Sequence, residues 1–428
     1  MSDATSPAAP QQHGFVSPRG AWAIFAVLFL VNVSDYADRY VVASMLSFIK
    51  ADWHITDAQA GWLMGVVILF ITVFSVPASL LIDRWSRRKM VAIMTGFWSL
   101  ATLACAFTGN YLQLLIARSF IGVGESGYAP GGTAMLAAAF PEQKRARVMG
   151  LWNVSIPLGM GIGLFAGGAI AKHWGWQHAF GLVAAPGMLL AVIAWFLPDY
   201  KTVPPPPGKG VVRDFWRDTK TIFGLPSLVF TFLGFAMNVS VTTALASWLS
   251  VYFERTGMAA EGAGGKYATG VFALVLVGAP LGGWLSDVWH RRNPAGRLYF
   301  PALTSAAAAV VLFVAFFFPN QMMVQMPLLG LFGILVTCFI APAAAVTQDV
   351  VQPGLRAFSY AMCVIVQHVA GDIWSPGIVG WFSDQVGLAQ AVRILPLWGV
   401  FACVFFLLAA RFYERDLAKV EKVELVAE

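Results

Sequence analysis

The chain has 428 residues, of which 58% are hydrophobic and 12% are charged, with a formal net charge of +6. Soluble domains contain roughly 45–50% apolar and about 25% charged residues, so this composition excludes an ordinary soluble protein. In a membrane protein, lysine and arginine are distributed according to topology, so the basic net charge does not indicate a nucleic-acid partner.

Twelve apolar stretches are long enough to cross a bilayer as helices, which takes about 20 residues each. They lie at residues 21–46, 59–82, 90–107, 112–138, 148–171, 179–197, 228–253, 267–288, 299–318, 326–347, 358–382 and 394–410. The four cysteines fall inside these stretches with no zinc-type spacing. The sequence therefore predicts an all-α integral membrane protein with 12 transmembrane helices and no metal site.

Lysine and arginine predict the orientation. One side of the predicted membrane holds 21 of them, the other side holds 5, and Arg39 and Arg118 lie within spans. By the positive-inside rule, both termini are cytoplasmic in a multi-pass protein of the cell (inner) membrane. Residues 1–20 lack a basic run and precede a long span, so we expect a disordered tail rather than a signal peptide.

A charged motif occurs twice, 204 residues apart, after the second and eighth spans. Its members are Ser79, Asp83, Arg84, Arg87 and Arg88 in the first copy, and Asp287, Arg291 and Arg292 in the second. The repeat predicts two six-helix halves, residues 21–198 and 226–412, with a second tail at 413–428. The linker, residues 199–225, includes Val211–Phe223, which has the pattern of an amphipathic helix on the membrane surface.

These motifs resemble the major facilitator superfamily over residues 20–412. Ser79 to Arg88 is similar to the family's loop signature Gly-x-Leu-x-Asp-Arg-x-Gly-Arg-Arg, with serine at both glycine positions. Arg118–Gly122 and Pro157–Gly163 resemble its fourth-helix and fifth-helix motifs. The resemblance implies a secondary transporter, expected to be a monomer, that uses a proton gradient and no cofactor. The motif carboxylates can cap a helix and pair with arginine, which predicts a cytoplasmic gate.

Ionisable residues inside the first and fourth spans are the main functional candidates, because charge within a bilayer is costly and is usually retained for function. They are Asp35, Asp38, Arg39, Arg118 and Glu125. Their segments, Asp35–Tyr40 and Arg118–Tyr128, resemble the Spinster branch, whose members are associated with sphingolipid and lysolipid export and proton coupling. Prokaryotic organic-anion:proton symporters carry a related Asn-Tyr-x-Asp-Arg segment, so a small organic anion remains an alternative substrate.

Helical spacing suggests how these charges act together. Arg118 and Glu125 are two turns apart on one face, and Asp35 is one turn from Asp38 and Arg39. Burial favours the protonated form of Glu125, whereas a nearby arginine, either Arg39 or Arg118, favours the carboxylate. A motion that changes the partner of Glu125 would therefore change its affinity for protons, which predicts proton coupling. A static ion-pair network that only fixes helix register is the alternative.

The second half offers fewer polar candidates. His368 and Asp372 are one turn apart and predict a second pair that can titrate. The remaining residues expected to line the substrate cavity, together with Arg39 and Glu125, are Tyr36, Asn238, Thr242 and Gln367. A cavity that is charged on one wall and apolar on the other would suit an amphiphile.

Enzyme-like motifs in the chain do not predict catalysis. Gly122–Gly127 fits Gly-x-Gly-x-x-Gly but lies inside a predicted span rather than after a strand. We therefore expect no catalytic residues, and a proton-coupled transporter of an amphiphile. A sensor of the same fold that does not transport is the alternative from another class. The sequence does not predict the substrate's identity or the direction and stoichiometry of transport.

Overall fold

The computed structural model of the protein describes residues 16–199, 211–317, 321–352 and 355–420. The regular structure in these ranges is helical, and they contain no β-strand. The prediction of an all-α protein is therefore confirmed.

In the residues that the structure describes, nine helices make up the first half and the linker. They are α1 (Pro18–Val41), α2 (Leu46–Trp53), α3 (Asp57–Arg84), α4 (Arg87–Cys105), α5 (Tyr111–Ala139), α6 (Glu142–Asn153), α7 (Ser155–Trp174), α8 (Trp176–Trp195) and α9 (Val211–Phe223). A 3₁₀ turn at Val42–Ser44 follows α1.

Ten helices follow the linker within the described ranges. They are α10 (Pro226–Arg255), α11 (Gly264–Ala273), α12 (Val275–His290), α13 (Gly296–Phe317), α14 (Met322–Thr337), α15 (Ile340–Asp349), α16 (Arg356–Gln367), α17 (Ser375–Val386), α18 (Leu388–Ala391) and α19 (Leu395–Leu417). A π-helical turn, His368–Asp372, separates α16 from α17, and a 3₁₀ turn, Val392–Ile394, separates α18 from α19.

Ten helical segments in the described residues are long and apolar enough to cross a membrane. Two more long helices, α4 and α5, coincide with the third and fourth predicted spans and have 19 and 29 residues. Each of the twelve predicted spans thus matches a long helical segment, although the ends differ. The last helix continues to Leu417 instead of ending near residue 410, and the first begins at Pro18.

Local sequence signals explain where several helices begin and end. Ser17 caps α1 ahead of Pro18, and Ser86 caps α4 by accepting from the backbone N–H of Lys89. Gly175 ends α7 with a φ of 88°, a backbone conformation that favours glycine. Short breaks of this kind reverse the chain, so that consecutive long helices run antiparallel.

The helices define two ends of the molecule. We call the end that holds the starts of α1 and α10 the linker end, because α10 directly follows α9, and the opposite end the far end. Near the far end, α3 packs against α17, and α7 packs against α11. A Cβ at Gly61 would overlap the carbonyl oxygen of Pro376, and one at Gly265 would overlap that of Leu164. Glycine therefore allows the two halves to touch along their backbones.

The linker helix α9 covers the same residues that the amphipathic pattern indicated. Ile222 is fully buried, Phe215 packs edge-on against Phe358, and Trp216 is 64% exposed. The side chains of residues 211–214 lie outside the described part of the structure, as do residues 1–15, 200–210 and 421–428. Membrane-surface binding by α9 and disorder of the N-terminal tail remain predictions.

Candidate functional site

A cluster of buried charges joins α1 to α5. Arg39 donates to one oxygen of Glu125 from both Nη2, at 2.6 Å, and Nε, at 3.1 Å. The same Nη2 also donates to Asp35, one turn earlier on α1, at 3.2 Å. Asp35 and Glu125 are 3% and 4% exposed. One arginine therefore serves two buried carboxylates on two helices.

Glycines allow α5 to lie close to α3 and α4, the helices that pack beside this cluster. A Cβ at Gly124 would lie 2.7 Å from Trp98 of α4, and one at Gly122 would overlap the carbonyl oxygen of Val67 in α3. The run that resembles a dinucleotide-binding motif thus serves helix packing within a membrane-length helix.

Asp38 lies next to this cluster but has a different environment. It is fully buried, and one of its oxygens accepts from Trp98 Nε1 at 3.1 Å. The other oxygen has no hydrogen-bond partner among the described residues, and the same holds for one oxygen each of Asp35 and Glu125. Buried carboxylate oxygens without donors favour binding of a proton or another cation.

Arg118 is fully buried but does not pair with Glu125. Its Nε donates to the carbonyl oxygen of Leu63 in α3 at 2.5 Å, and its Nη2 to that of Arg39 at 3.4 Å. The sequence left open whether Glu125 meets Arg39 or Arg118, and in this structure the partner is Arg39. Arg118 instead connects α5 to the backbones of α1 and α3.

Arg39 of the cluster and the neighbouring Tyr36 are both partly exposed. The Arg39 side chain is 17% exposed, and its guanidinium carbon lies 4.7 Å from the centre of the Tyr36 ring. A cation–π contact of this kind orients the guanidinium. A molecule that approached the cluster would meet these two side chains before the buried acids.

The predicted pair in the second half is formed. Nδ1 of His368 lies 3.0 Å from both oxygens of Asp372 across the π-helical turn. The π-helical turn that carries the pair packs against α3 of the first half and α10 of the second half. The His368–Asp372 pair therefore faces the half of the molecule that carries the charge cluster. Single π-helical turns inside α-helices are frequent at functional sites.

The other residues expected in the cavity differ in their exposure. Asn238 is 1% exposed and donates to Ser305 of α13 at 2.8 Å, so in this structure it links two helices. The hydroxyl of Thr242 donates to carbonyl oxygens of its own helix. Gln367 is partly buried at the end of α16, directly before His368. Contact of these three residues with a substrate remains a prediction.

The repeated motif lies at the linker end. The side chains of Ser79, Asp83 and Arg84 lie outside the described part of the structure. In the first copy, Arg88 donates to the carbonyl oxygen of Leu197, just after the end of α8, at 2.9 Å.

In the second copy, Asp287 pairs with Arg297 of α13 at 2.9 Å, and Arg297 also binds Asp349 of α15 at 2.8 Å. The partner of Asp287 is thus an arginine outside the motif. The sequence pattern did not single out Arg297, because this residue lies in α13, beyond the turn that follows the motif.

A second charged cluster, not singled out by the sequence, lies at the far end. Asp57, the first residue of α3, binds Lys50 at 2.6 Å and Arg255 at 2.6 Å and 2.7 Å. The hydroxyl of Ser383 also donates to Asp57, and Asp384 accepts from the backbone N–H groups that begin α3. Charged residues are ordinary at helix ends, so no sequence signal marked these residues.

The described residues contain no group of three or more histidine, cysteine or acidic side chains arranged to hold a metal ion. Long antiparallel membrane helices that carry buried, mutually paired charges are typical of secondary transporters. The fold and the cluster therefore define the protein as a membrane transporter by class.

Comparison with known proteins agrees with this class. The model of the Major Facilitator Superfamily matches residues 28–375, so the chain belongs to that family. Protein spinster homolog 1 of Xenopus tropicalis is 28% identical over 95% of this chain and 84% of its own length. An MFS-type efflux pump of Mycolicibacterium smegmatis is 26% identical over 95% of this chain and 96% of its own length.

Solved structures share the fold. A bacterial homologue of the human lysosomal transporter Spinster, crystallised in an inward-facing and unoccupied conformation, superposes with a TM-score of 0.83 at 20% identity, covering 94% of this chain and 99% of that one. The D-xylose–proton symporter gives a TM-score of 0.73 at 15% identity, covering 90% of this chain and 97% of that one. The resemblance to the Spinster branch is confirmed.

Proposed function

We propose that this transporter is a proton-coupled secondary active transporter that works by alternating access. Its substrate is an amphiphile of the lysolipid or sphingoid type, with a charged head and an aliphatic chain. Protons are taken up and released by the α1–α5 cluster of Asp35, Asp38, Arg39, Arg118 and Glu125.

The observation that carries the proposal is the sharing of Arg39 between Asp35 and Glu125. A buried carboxylate that loses its cation binds a proton, because burial penalises the charged form. Arg39 lies one turn from Asp35 on α1, so a small movement of α1 against α5 can change which acid it neutralises. Proton affinity is thereby linked to helix position.

The amphiphile is supported by the uneven distribution of charge. The described residues of α10 contain no aspartate, glutamate, lysine or arginine from Pro226 to Phe253, and those of α13 contain only Arg297. A small dicarboxylate would need cationic or polar groups from both halves, because an unpaired buried carboxylate costs several kcal/mol. An aliphatic chain has no such requirement.

A short organic acid is the alternative substrate. It is favoured by one observation: the partly exposed charged group of the cluster is the cation Arg39, at 17% exposure. If the substrate is an amphiphile, the same Arg39 guanidinium binds the anionic head group of that substrate.

The experiment is a flux assay in proteoliposomes with an imposed proton gradient, comparing a lysolipid with a short carboxylate. We expect saturable lysolipid flux that stops when the gradient is collapsed. Proton-dependent flux of the carboxylate, without competition from any lysolipid, would assign the alternative substrate. Binding of either compound without flux of any kind would favour a sensor.

We propose the predicted architecture along with the function. The two moving parts are the six-helix halves at residues 21–198 and 226–412, and both termini are cytoplasmic in the inner membrane of a monomeric protein. Cytoplasmic reporter fusions at each terminus test the orientation, and mass measurement of detergent-solubilised protein tests the monomer.

A further inference from the structure

The far-end cluster connects the two halves through one carboxylate. Arg255 ends α10 and binds both oxygens of Asp57, at 2.6 Å and 2.7 Å. Lys50 of α2 binds Asp57 Oδ1 at 2.6 Å. Arg255 and Lys50 thus hold Asp57 from different halves of the chain.

Asp384 completes the connection by capping α3 from the other half. The backbone N–H groups of Asp57 and Ala58 donate to its two oxygens at 2.7 Å and 2.9 Å. The next N–H, of Gln59, donates to Thr56 in a capping box within the first half. Initial N–H groups of a helix have no intrahelical acceptor and favour a negative partner. Two of these three N–H groups therefore have a protein acceptor only while the halves touch.

The residue before Arg255 strengthens the same junction. Glu254 accepts from the hydroxyl of Ser47 in α2 at 2.7 Å, and from the N–H groups of Gly262 and Gly264 at 3.0 Å and 3.2 Å. The last turn of α10 therefore contacts two elements of the first half: α2 through Glu254 and the start of α3 through Arg255.

We propose that Lys50, Asp57, Arg255 and Asp384 form a clasp that closes the far end, in which Lys50 and Arg255 act in opposite directions. Arg255 and Asp384 belong to the second half and leave when the far end opens. Lys50 belongs to the first half and stays with Asp57. It therefore keeps the carboxylate paired in the open state, and thereby lowers the free energy of opening.

Because Lys50 and Arg255 bind the same carboxylate from different halves, removing one or the other should change the population of the open state in opposite directions. Removing Arg255 takes an interaction from the closed state alone, so the open population rises. Removing Lys50 leaves Asp57 unpaired only in the open state. It also removes the repulsion between Lys50 and Arg255 in the closed state, so the open population falls.

Distance measurements between nitroxide labels test the clasp. Labels are placed at Ala51 and Gln385, exposed positions on α2 and α17, after the four cysteines are replaced by serine. The protein is reconstituted in lipid nanodiscs. We expect the ratio of long to short distances to rise about threefold or more in Arg255→Gln and to fall by a similar factor in Lys50→Gln.

Matched controls separate the clasp from general charge effects. Arg393→Gln and Lys266→Gln remove exposed cations outside the clasp and should leave the distances unchanged. Arg255→Lys should restore part of the closed population, and each variant must elute as a monodisperse peak. Shifts in the same direction for Lys50→Gln and Arg255→Gln, or no shift in either, would overturn the proposal.

The clasp rests on the proposed alternating access but not on the proposed substrate or coupling ion. The distances are measured without substrate or gradient, so failure of the flux assay leaves this result intact. Conversely, unchanged distances alongside normal flux would overturn the clasp alone.

Discussion

Arg39 of α1 approaches Glu125 of α5 to 2.6 Å while remaining within 3.2 Å of Asp35 on its own helix. Of the two acids, Glu125 has the shorter contact and receives two of the guanidinium's hydrogen bonds. Because the partners lie on different helices, this relationship depends on the position of α1 against α5.

Glu125→Gln should abolish proton-driven transport, because an amide cannot take up and release a proton. Folding and substrate binding should be largely retained, since the amide oxygen can still accept from Arg39. Flux in proteoliposomes is measured with and without a proton gradient. Glu261→Gln, an exposed control, should transport normally. Gradient-driven flux at the unmodified level in Glu125→Gln would remove this residue from coupling.

Arg39→Lys should reduce transport strongly although the positive charge is kept. An ammonium group is a point charge and cannot reproduce the planar fork that reaches Asp35 and Glu125 together. Arg39→Ala should be more severe, since it leaves both acids without their cation. Initial rates of lysolipid uptake measure both effects. Equal rates for the lysine variant and the unmodified protein would show that the shared geometry has no role.

Gly61→Ala should keep the far end from closing fully. A Cβ at this position overlaps the carbonyl oxygen of Pro376, and backbone cannot shift as easily as a side chain. Overpacking of this kind typically costs about 1–3 kcal/mol. The Ala51–Gln385 label distances should lengthen. Gly181→Ala is the matched control, because a Cβ there has no neighbour within 4 Å. Identical distance distributions in both variants would contradict the prediction.

Arg297→Gln should lower the stability of the linker end of the second half. Arg297 bridges Asp287 and Asp349, and Asp349 also accepts from the hydroxyl of Tyr413 in α19 at 3.1 Å. Exposed pairs contribute about 0.2–1 kcal/mol each, so we expect a modest loss that shows as a lower melting temperature in detergent. Arg292→Gln removes a neighbouring exposed cation and serves as the control. A melting temperature equal to that of the control would contradict the bridge.

The sequence alone was sufficient to predict the helices and the charged candidates. Membrane spans depend on long apolar runs, which are a local property, so every predicted span matched a long helical segment. The amphipathic pattern of the linker likewise predicted α9 at its observed bounds. Asp38, Arg39, Arg118 and Glu125 stood out because charge inside an apolar run is conspicuous without any knowledge of packing.

Only the tertiary structure decided which charges pair. Sequence spacing places Arg118 and Glu125 on one helix face, yet Glu125 binds Arg39, and Arg118 binds two backbone carbonyls. The choice depends on how α1, α3 and α5 pack against one another, which only the three-dimensional fold decides. The far-end cluster was missed for the same reason. Asp57 and Arg255 are 198 residues apart and ordinary in their local sequence, and they become partners only when the two halves pack together.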